Sequence, residues 1–472
     1  MTATSPHRRR STSLRQRISD VREQARQQAG LDYLLLRLII FLLIGIGVVM
    51  VFSSSMATSL TEDGGVWNQA LRQTGLVIFG LVAFWLGLKV SPHTLRKFIP
   101  WLLVLSILLL IAVLIPGIGT GRAEVGSQSW IYIGPISLQP SELARITVGM
   151  FGASVLADKQ HQSLKLSDPF MMYSLIAGVM FLLIVGQGDL GMALSFAIVV
   201  VFTLIFAGVN RRVPIVIGIL CALGLLAVFF IGGFRSHRFH TYFDALLGNI
   251  SDTEGTGFQS YQGFLSLADG GFWGVGLGQS RAKWFYLPEA KNDFIFAIVG
   301  EELGLWGGAL VIFLFAALGY IGLRTATRAQ NQYQSLLAAT LTIGVVTQAF
   351  INISYVIGVL PVTGIQLPMI SAGGTAAIIT IGSMGILCNV ARHEPMQISA
   401  MQNFGRPLFD RLLLIGEPQP PAARKQKSRG RHSQPRHSRP REVSPRTRDA
   451  RYGRPVTGSG RRYPRAENRP WQ

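Results

Sequence analysis

The residues of this chain best suited to chemistry are ionisable groups set among apolar ones, and the densest group runs from Gly274 to Ala297. A glycine-rich stretch, Gly274-Val275-Gly276-Leu277-Gly278-Gln279-Ser280-Arg281-Ala282-Lys283, is followed by Leu287-Pro288-Glu289-Ala290-Lys291-Asn292-Asp293 and then by an apolar run from Phe294. Asp293 therefore stands at the mouth of an apolar helix, where two readings are open. A carboxylate there caps the helix, because backbone N–H groups and the helix dipole both favour an anion at an N-terminus. Alternatively it is a general base in a charged site, with Glu289 beside it and Lys283 and Lys291 facing an anionic group. The glycines permit tight turns and close backbone approach, which a plain surface turn uses equally well.

Further ionisable residues interrupt other apolar runs. Glu142 and Arg145 are three apart and share one helical face, where they pair. Such a pair either holds helices together or lines a polar cavity in which Arg145 meets an anionic headgroup. Gln187-Gly188-Asp189 falls between two apolar runs, so Asp189 is placed to cap the second. Glu301 and Glu302 are adjacent on a helix and point in different directions around it, so one of them is expected to face the interior.

The elements that position these residues follow from composition. Of 472 residues, 49% are hydrophobic and 14% charged, against roughly 25% charged in soluble domains. The formal charge of +20 is mostly terminal, with +5 in residues 1–31, +12 in 393–472 and +3 between. The basic residues are not interleaved with aromatics on a folded domain, which argues against a nucleic-acid partner. Ten apolar stretches are long enough to cross a bilayer: 36–54, 74–90, 99–117, 141–157, 170–186, 190–208, 213–233, 294–322, 335–355 and 372–390. The first follows some 35 mostly polar residues and is expected to remain as a span rather than be cleaved as a signal peptide.

Lys89, Arg96, Lys97, Lys159, Lys165, Arg211, Arg212, Arg324 and Arg328 fall on one side of these spans, whereas the short loops on the other side offer little beyond Arg72 and Arg122. The basic side is expected inside, which puts both termini in the cytoplasm and the long segment 234–293 outside. The expected fold is all-α: a polytopic membrane domain of ten transmembrane helices over 32–392, with a large outward loop between helices seven and eight. Residues 1–31 and 393–472 read as disordered basic tails that anionic lipid headgroups would attract by about 1 kcal/mol per charge. A specific protein partner is the other reading of the tails. Leu408 to Leu414 is expected to form a short interfacial helix. Cys221 and Cys388 lie inside spans and support neither a disulfide nor a metal cluster.

Five separated strings carry a resemblance to a known family. They are Trp130-Ile131 with Gly134 and Gln139-Pro140-Ser141-Glu142; Gln187-Gly188-Asp189-Leu190-Gly191; Gly276-Leu277-Gly278-Gln279-Ser280; Leu287-Pro288-Glu289 leading to Asp293-Phe294-Ile295-Phe296-Ala297; and Pro368-Met369-Ile370-Ser371-Ala372-Gly373-Gly374. In this order they resemble the SEDS membrane proteins, the peptidoglycan glycosyltransferases of shape, elongation, division and sporulation, and more the division than the elongation branch. The chain departs from the family pattern at Gly188, Met192, Ser129 and Ala372.

The resemblance implies polymerisation of lipid II at the outer face of the cytoplasmic membrane during septal wall synthesis. It also implies a class B penicillin-binding protein transpeptidase and other division proteins as partners. In that chemistry the acceptor sugar's hydroxyl attacks the anomeric carbon, inverts it and expels a lipid pyrophosphate. A base must take the hydroxyl proton and positive charge must meet the leaving group. Asp293 would be the catalytic residue, with Lys283, Glu289, Glu142, Arg145, Asp189, Gln187 and Ser280 around the substrate and Lys291 a further cation. A divalent cation, Mg or Mn, bound by Asp293 and the pyrophosphate would serve the leaving group equally well. Alternative functions are lipid II transport through the same cavity, or a division scaffold without chemistry.

Overall fold

A computed structural model describes residues 30–62, 65, 67–121, 126–134, 136–157, 168–231, 242, 256–284 and 287–418. The expected tails 1–29 and 419–472, and most of 232–255, lie outside the described residues. Helices occupy all ten expected spans: α1 (Leu31–Glu62), α2 (Asn68–Lys89), α3 (Pro92–Leu114), α4 (Pro140–Leu156), α5 (Pro169–Gly186), α6 (Leu190–Phe206), α7 (Arg212–Ile231), α9 (Ile295–Arg328), α10 (Gln332–Val356) and α11 (Thr375–Arg392). Seven of these are long and apolar enough to cross a membrane by length and composition, while α6 and the described part of α7 are shorter apolar helices. The shorter α4 is the one that carries Glu142 and Arg145.

Local chemistry sets most of the helix starts. Ser91 and Asp168 accept from the amides of Thr94 and Phe170 at 3.2 and 2.9 Å, each ahead of a proline at the first helical position, where a missing N–H costs nothing. Asn331 caps α10 through Gln334 N at 2.9 Å. A three-stranded antiparallel sheet, β1 (Gly119–Thr120), β2 (Trp130–Ile133) and β3 (Ile136–Leu138), joins α3 to α4 and pairs Tyr132 with Ser137. α2 packs closely on α11, where a Cβ on Gly385 would approach the Phe84 carbonyl to 2.3 Å; small residues permit this kind of membrane helix contact. The core runs along α4, α6, α9 and α10, and α10 is largely enclosed.

Two features depart from the sequence expectation. First, α9 is broken at Gly304, whose φ of 67° and ψ of −165° are non-helical. The loop after α8 (Thr256–Gly270) fills the break: Val275 N and Gly276 N donate to the carbonyls of Glu301 and Glu302 at 2.9 and 3.1 Å, and Leu305 N donates to Gly271 O at 2.9 Å. The helix-end groups that the break exposes are thus satisfied by one loop. Second, the ordered chain continues past residue 392. Residues 393–418, assigned to the disordered tail, include α12 (Pro395–Phe404) and α13 (Leu408–Leu412), the second where a short helix over Leu408 to Leu414 is expected. Asp410 is fully buried and accepts from Arg392 Nε and Tyr33 Oη, both at 2.7 Å.

Candidate active site

A cavity of about 550 Å³ opens where the loop before α9, β2–β3, and residues of α6, α7 and the segment after α10 meet. Its polar lining includes Asp293, Glu289, Asn292, Asp189, Gln139 and Gln366, and its apolar lining includes Leu190, Leu194, Ala222, Leu225 and Leu226. Three carboxylates line it and, among the described lining residues, there is no Lys, Arg or His.

Asp293 precedes the helix cap rather than occupying it. The N-cap of α9 is Phe294, which makes no side-chain cap bond. The backbone of Asp293 is fixed from α10, because its carbonyl accepts from Asn352 Nδ2 at 2.8 Å and from Tyr355 Oη at 3.0 Å. The same two side chains donate to the Ile365 carbonyl at 2.7 and 2.5 Å, so they tie both walls of the cavity together. Ser371 Oγ holds Asn292 O at 2.7 Å, and Ala372 N holds Lys291 O at 3.0 Å. Opposite lies Gly364 (φ 73°), where a Cβ would come within 3.5 Å of Asp293 Oδ2. From α8, Gln259 Nε2 donates to Pro288 O at 3.2 Å.

Glu289 adopts a left-handed backbone, φ 55°, a conformation that non-glycine residues rarely adopt and that is concentrated at functional sites. Its carboxylate accepts from Asn292 Nδ2 at 2.6 Å. Asp189 both caps and lines: it accepts from Met192 N at 3.0 Å, as a cap, and from Gln139 Nε2 at 3.1 Å across the cavity wall.

The remaining residues singled out from sequence stand behind the cavity. Glu142 and Arg145 are fully buried at 2.8 Å from each other. Arg145 also donates to the Gly344 carbonyl, and Glu142 accepts from Gln348 Nε2 at 2.7 Å. Gln348 also donates to Gln366 O at 3.1 Å, so the ion pair supports a cavity wall without touching the space. Gln187 is buried, its Nε2 3.5 Å from Leu110 O.

Lys283 is buried, 3.4 Å from Glu302 Oε1, and donates to Gly278 O. Ser280 Oγ donates to Glu301 Oε2 at 2.7 Å, and Arg281 N to Glu301 Oε1 at 2.7 Å. Glu301 and Glu302 are therefore both interior, because the Gly304 break lets the glycine-rich loop wrap over them. Ser53 of α1 completes the cluster at 2.5 Å from Glu302. Lys291 donates to Gln69 Oε1 at 2.8 Å. Of the residues expected at the substrate, the cavity thus brings together Asp293, Glu289 and Asp189 but not Lys283, Ser280, Gln187, Glu142 or Arg145. Sequence reasoning missed Asn292, Gln259 and Gln366, single neutral polar residues whose only signal is their place beside the strings.

The described residues contain no cluster of three or more His, Cys, Asp or Glu able to hold a metal by themselves. The cavity's polar lining is nonetheless rich in oxygen, and two carboxylates, Asp293 and Glu289, belong to it. That set suits a hard divalent cation shared with substrate phosphates, the usual mode for Mg.

Fold and site together define a polytopic helical membrane protein with an acid-lined cavity whose walls are partly polar and partly apolar. Residues 33–396 match the sequence model of the FtsW, RodA and SpoVE cell cycle proteins, and the chain belongs to that family. It is 39% identical over 381 residues to the probable peptidoglycan glycosyltransferase FtsW of Mycobacterium tuberculosis, covering 80% of this chain and 71% of that one. It is 36% identical to the stage V sporulation protein E of Bacillus subtilis, covering 76% and 97%. Among solved structures, a chain of a peptidoglycan synthase complex that coordinates polymerization and crosslinking has the same fold, with a TM-score of 0.60 at 21% identity over 76% of this chain and 96% of that one.

Proposed function

We propose that the chain is a peptidoglycan glycosyltransferase that polymerises lipid II at the outer face of the cytoplasmic membrane. The observation that carries this reading is the mixed lining of one cavity. Carboxylates and amides line it together with leucines of α6 and α7, which suits a substrate with a sugar–diphosphate head and a polyprenyl tail. Relatives at 36–39% identity, one of them named a probable peptidoglycan glycosyltransferase, support it.

In this reading Asp293 takes the proton of the attacking sugar hydroxyl. Its backbone is already held by Asn352 and Tyr355, which avoids reorganisation during reaction. Glu289, Asn292 and Asp189 are the further polar contacts of the substrate. The diphosphate needs positive charge that the described lining lacks. A divalent cation held by Asp293 and Glu289 would supply it by neutralising the departing diphosphate. Lys283 and Arg145, each committed to a buried carboxylate, act as supports of the site.

The partner is a single-span class B penicillin-binding protein transpeptidase, a reading supported by the fold shared with the synthase-complex chain. Cytoplasmic termini, basic tails at the membrane surface and a septal location with other division proteins complete the proposal, resting on loop charge and family. Purified protein with its partner in liposomes carrying labelled lipid II tests it: glycan ladders support the enzyme. Movement of lipid II between leaflets without ladders would replace it with a transporter, and neither outcome would leave a scaffold.

A further inference from the structure

The C-terminal element that follows the last span has no part in the reaction, yet its side chains are set in a pattern that requires a ligand. Leu408, Leu412 and Leu414 are 77–82% exposed, three large apolar side chains on a seven-residue stretch. Leu408 and Leu412 are one helical turn apart on α13 and share a face. The helix ends in a paired C-terminal turn in which Ile415 N donates to Asp410 O at 2.9 Å and Leu414 N to Arg411 O at 3.3 Å. That turn places its residue after the cap in the left-handed region, where Gly or Asn is usual. Here the residue is Leu414, with φ 53°. A leucine held there with its side chain outward is at odds with both backbone preference and water.

The surroundings identify what covers these side chains. α13 is clamped onto the ends of α1, α2 and α11 by the Asp410 bonds to Arg392 and Tyr33 and by Trp85 Nε1 donating to Leu413 O at 2.9 Å. Phe409 meets Phe41 edge-on, with centroids 5.9 Å apart, and the Arg37 guanidinium lies 4.4 Å above the Phe409 ring. The neighbouring residues of α1 and α2, namely Leu34, Leu38, Leu42 and Leu86, are 46–52% exposed on helices that cross a membrane. The leucines of α13 therefore continue a lipid-facing surface at its end. They do so at the level of Lys89, Arg37 and Arg392, and Arg411 is exposed among them.

We infer that Leu408, Leu412 and Leu414 dock into the headgroup–acyl boundary of the membrane leaflet on the basic side of the protein, with Arg411 meeting anionic headgroups. This element pins the start of the polybasic C-terminal segment to the bilayer. By the charge rule that leaflet is the cytoplasmic one.

The test uses the full chain with Cys221 and Cys388 replaced and a single cysteine at Leu412→Cys or, as control, at the exposed Glu417→Cys. Each is labelled with an environment-sensitive fluorophore and reconstituted in vesicles of phosphatidylethanolamine and phosphatidylglycerol. At 412 the label is expected to shift to the blue, to be quenched by spin-labelled lipid and to escape iodide, whereas at 417 iodide quenches it. Equal iodide quenching at both positions overturns the inference. So does a 412 label protected from both quenchers, since a protein surface would then cover it. Because Leu412 makes little contact within the fold, loss of folding does not confound the reading.

Discussion

The buried pair behind the cavity offers a test whose size follows from the structure. Glu142 and Arg145 are 2.8 Å apart with 1% and 0% exposure, so neither charge has water to fall back on. In Arg145→Ala, Glu142 keeps only the Gln348 amide as a hydrogen-bond donor. In Glu142→Gln, Arg145 keeps the Gly344 carbonyl while its Nε has no acceptor. Either change strands a buried charge, which costs roughly 3–5 kcal/mol. The double change Glu142→Gln with Arg145→Ala removes both charges and should cost clearly less than the two single losses added together. Thermal unfolding of the wild type, the two single variants and the double variant in one detergent gives the cycle, and the predicted coupling is on the order of 2–3 kcal/mol. Single variants that each lose less than about 1 kcal/mol, with additive effects, would refute the reasoning. The pair would then be exposed to water or ligand, and its place behind the Gln348–Gln366 wall would be wrong.

Gly304→Ala should destabilise the protein by several kcal/mol, about 2–4 in a melting experiment, because a Cβ at φ 67° would lie 2.4 Å from Gly274 N and 2.6 Å from Phe272 O; an unchanged melting temperature would contradict the break in α9. Tyr355→Phe keeps the packing on Phe294, with centroids 5.8 Å apart, but loses the hydroxyl bridging Asp293 O and Ile365 O. Its kcat for polymerisation should fall about tenfold with KM and melting temperature nearly unchanged, and a change confined to KM would count against a positioning role. Glu394, outside the spans, has its pKa raised from 4.5 to about 7, first by burial and then by Asp32. The folded protein therefore holds a proton that the unfolded chain releases, and stability is lost as pH rises from about 4.5 to 7, by up to about 3 kcal/mol. Glu394→Gln should flatten that decline in melting temperature, and a decline of wild-type steepness would contradict it.

Much of the architecture was legible because hydropathy is local: each of the ten apolar runs carries its own signal, and each coincides with a helix. The Asp189 cap was equally readable, since donor and acceptor lie within three residues. What escaped was non-local. A single glycine in an apolar run does not announce a break, and Gly304 becomes one only because Val275 and Gly276 arrive to satisfy its carbonyl neighbours. Lys283 looked available for an anion because its partners, Glu302 and Ser53, are 19 and 230 residues away. Gln366 and Asn292 gave no signal by residue type. Residues 393–418 read as tail because what draws them into the fold is non-local: Asp410 meets Tyr33 377 residues away and Leu413 O accepts from Trp85 328 residues away.

If the Asp293 carboxylate does chemistry in this cavity, Asp293→Asn removes that chemistry and little else. Asn preserves the size of the side chain and leaves unaltered the backbone carbonyl that Asn352 and Tyr355 hold. Stability should therefore change by no more than about 1 kcal/mol. Loss of a general base costs on the order of 10² to 10⁴ in rate, and loss of a metal ligand would act in the same direction. The measurement is glycan chain formation from lipid II by the purified variant with its transpeptidase partner, alongside its melting temperature. The variant should be stable and bind its partner, while its polymerisation falls by at least about a hundredfold. Wild-type polymerisation by a stable Asp293→Asn protein would contradict it and leave Glu289 as the carboxylate to test next.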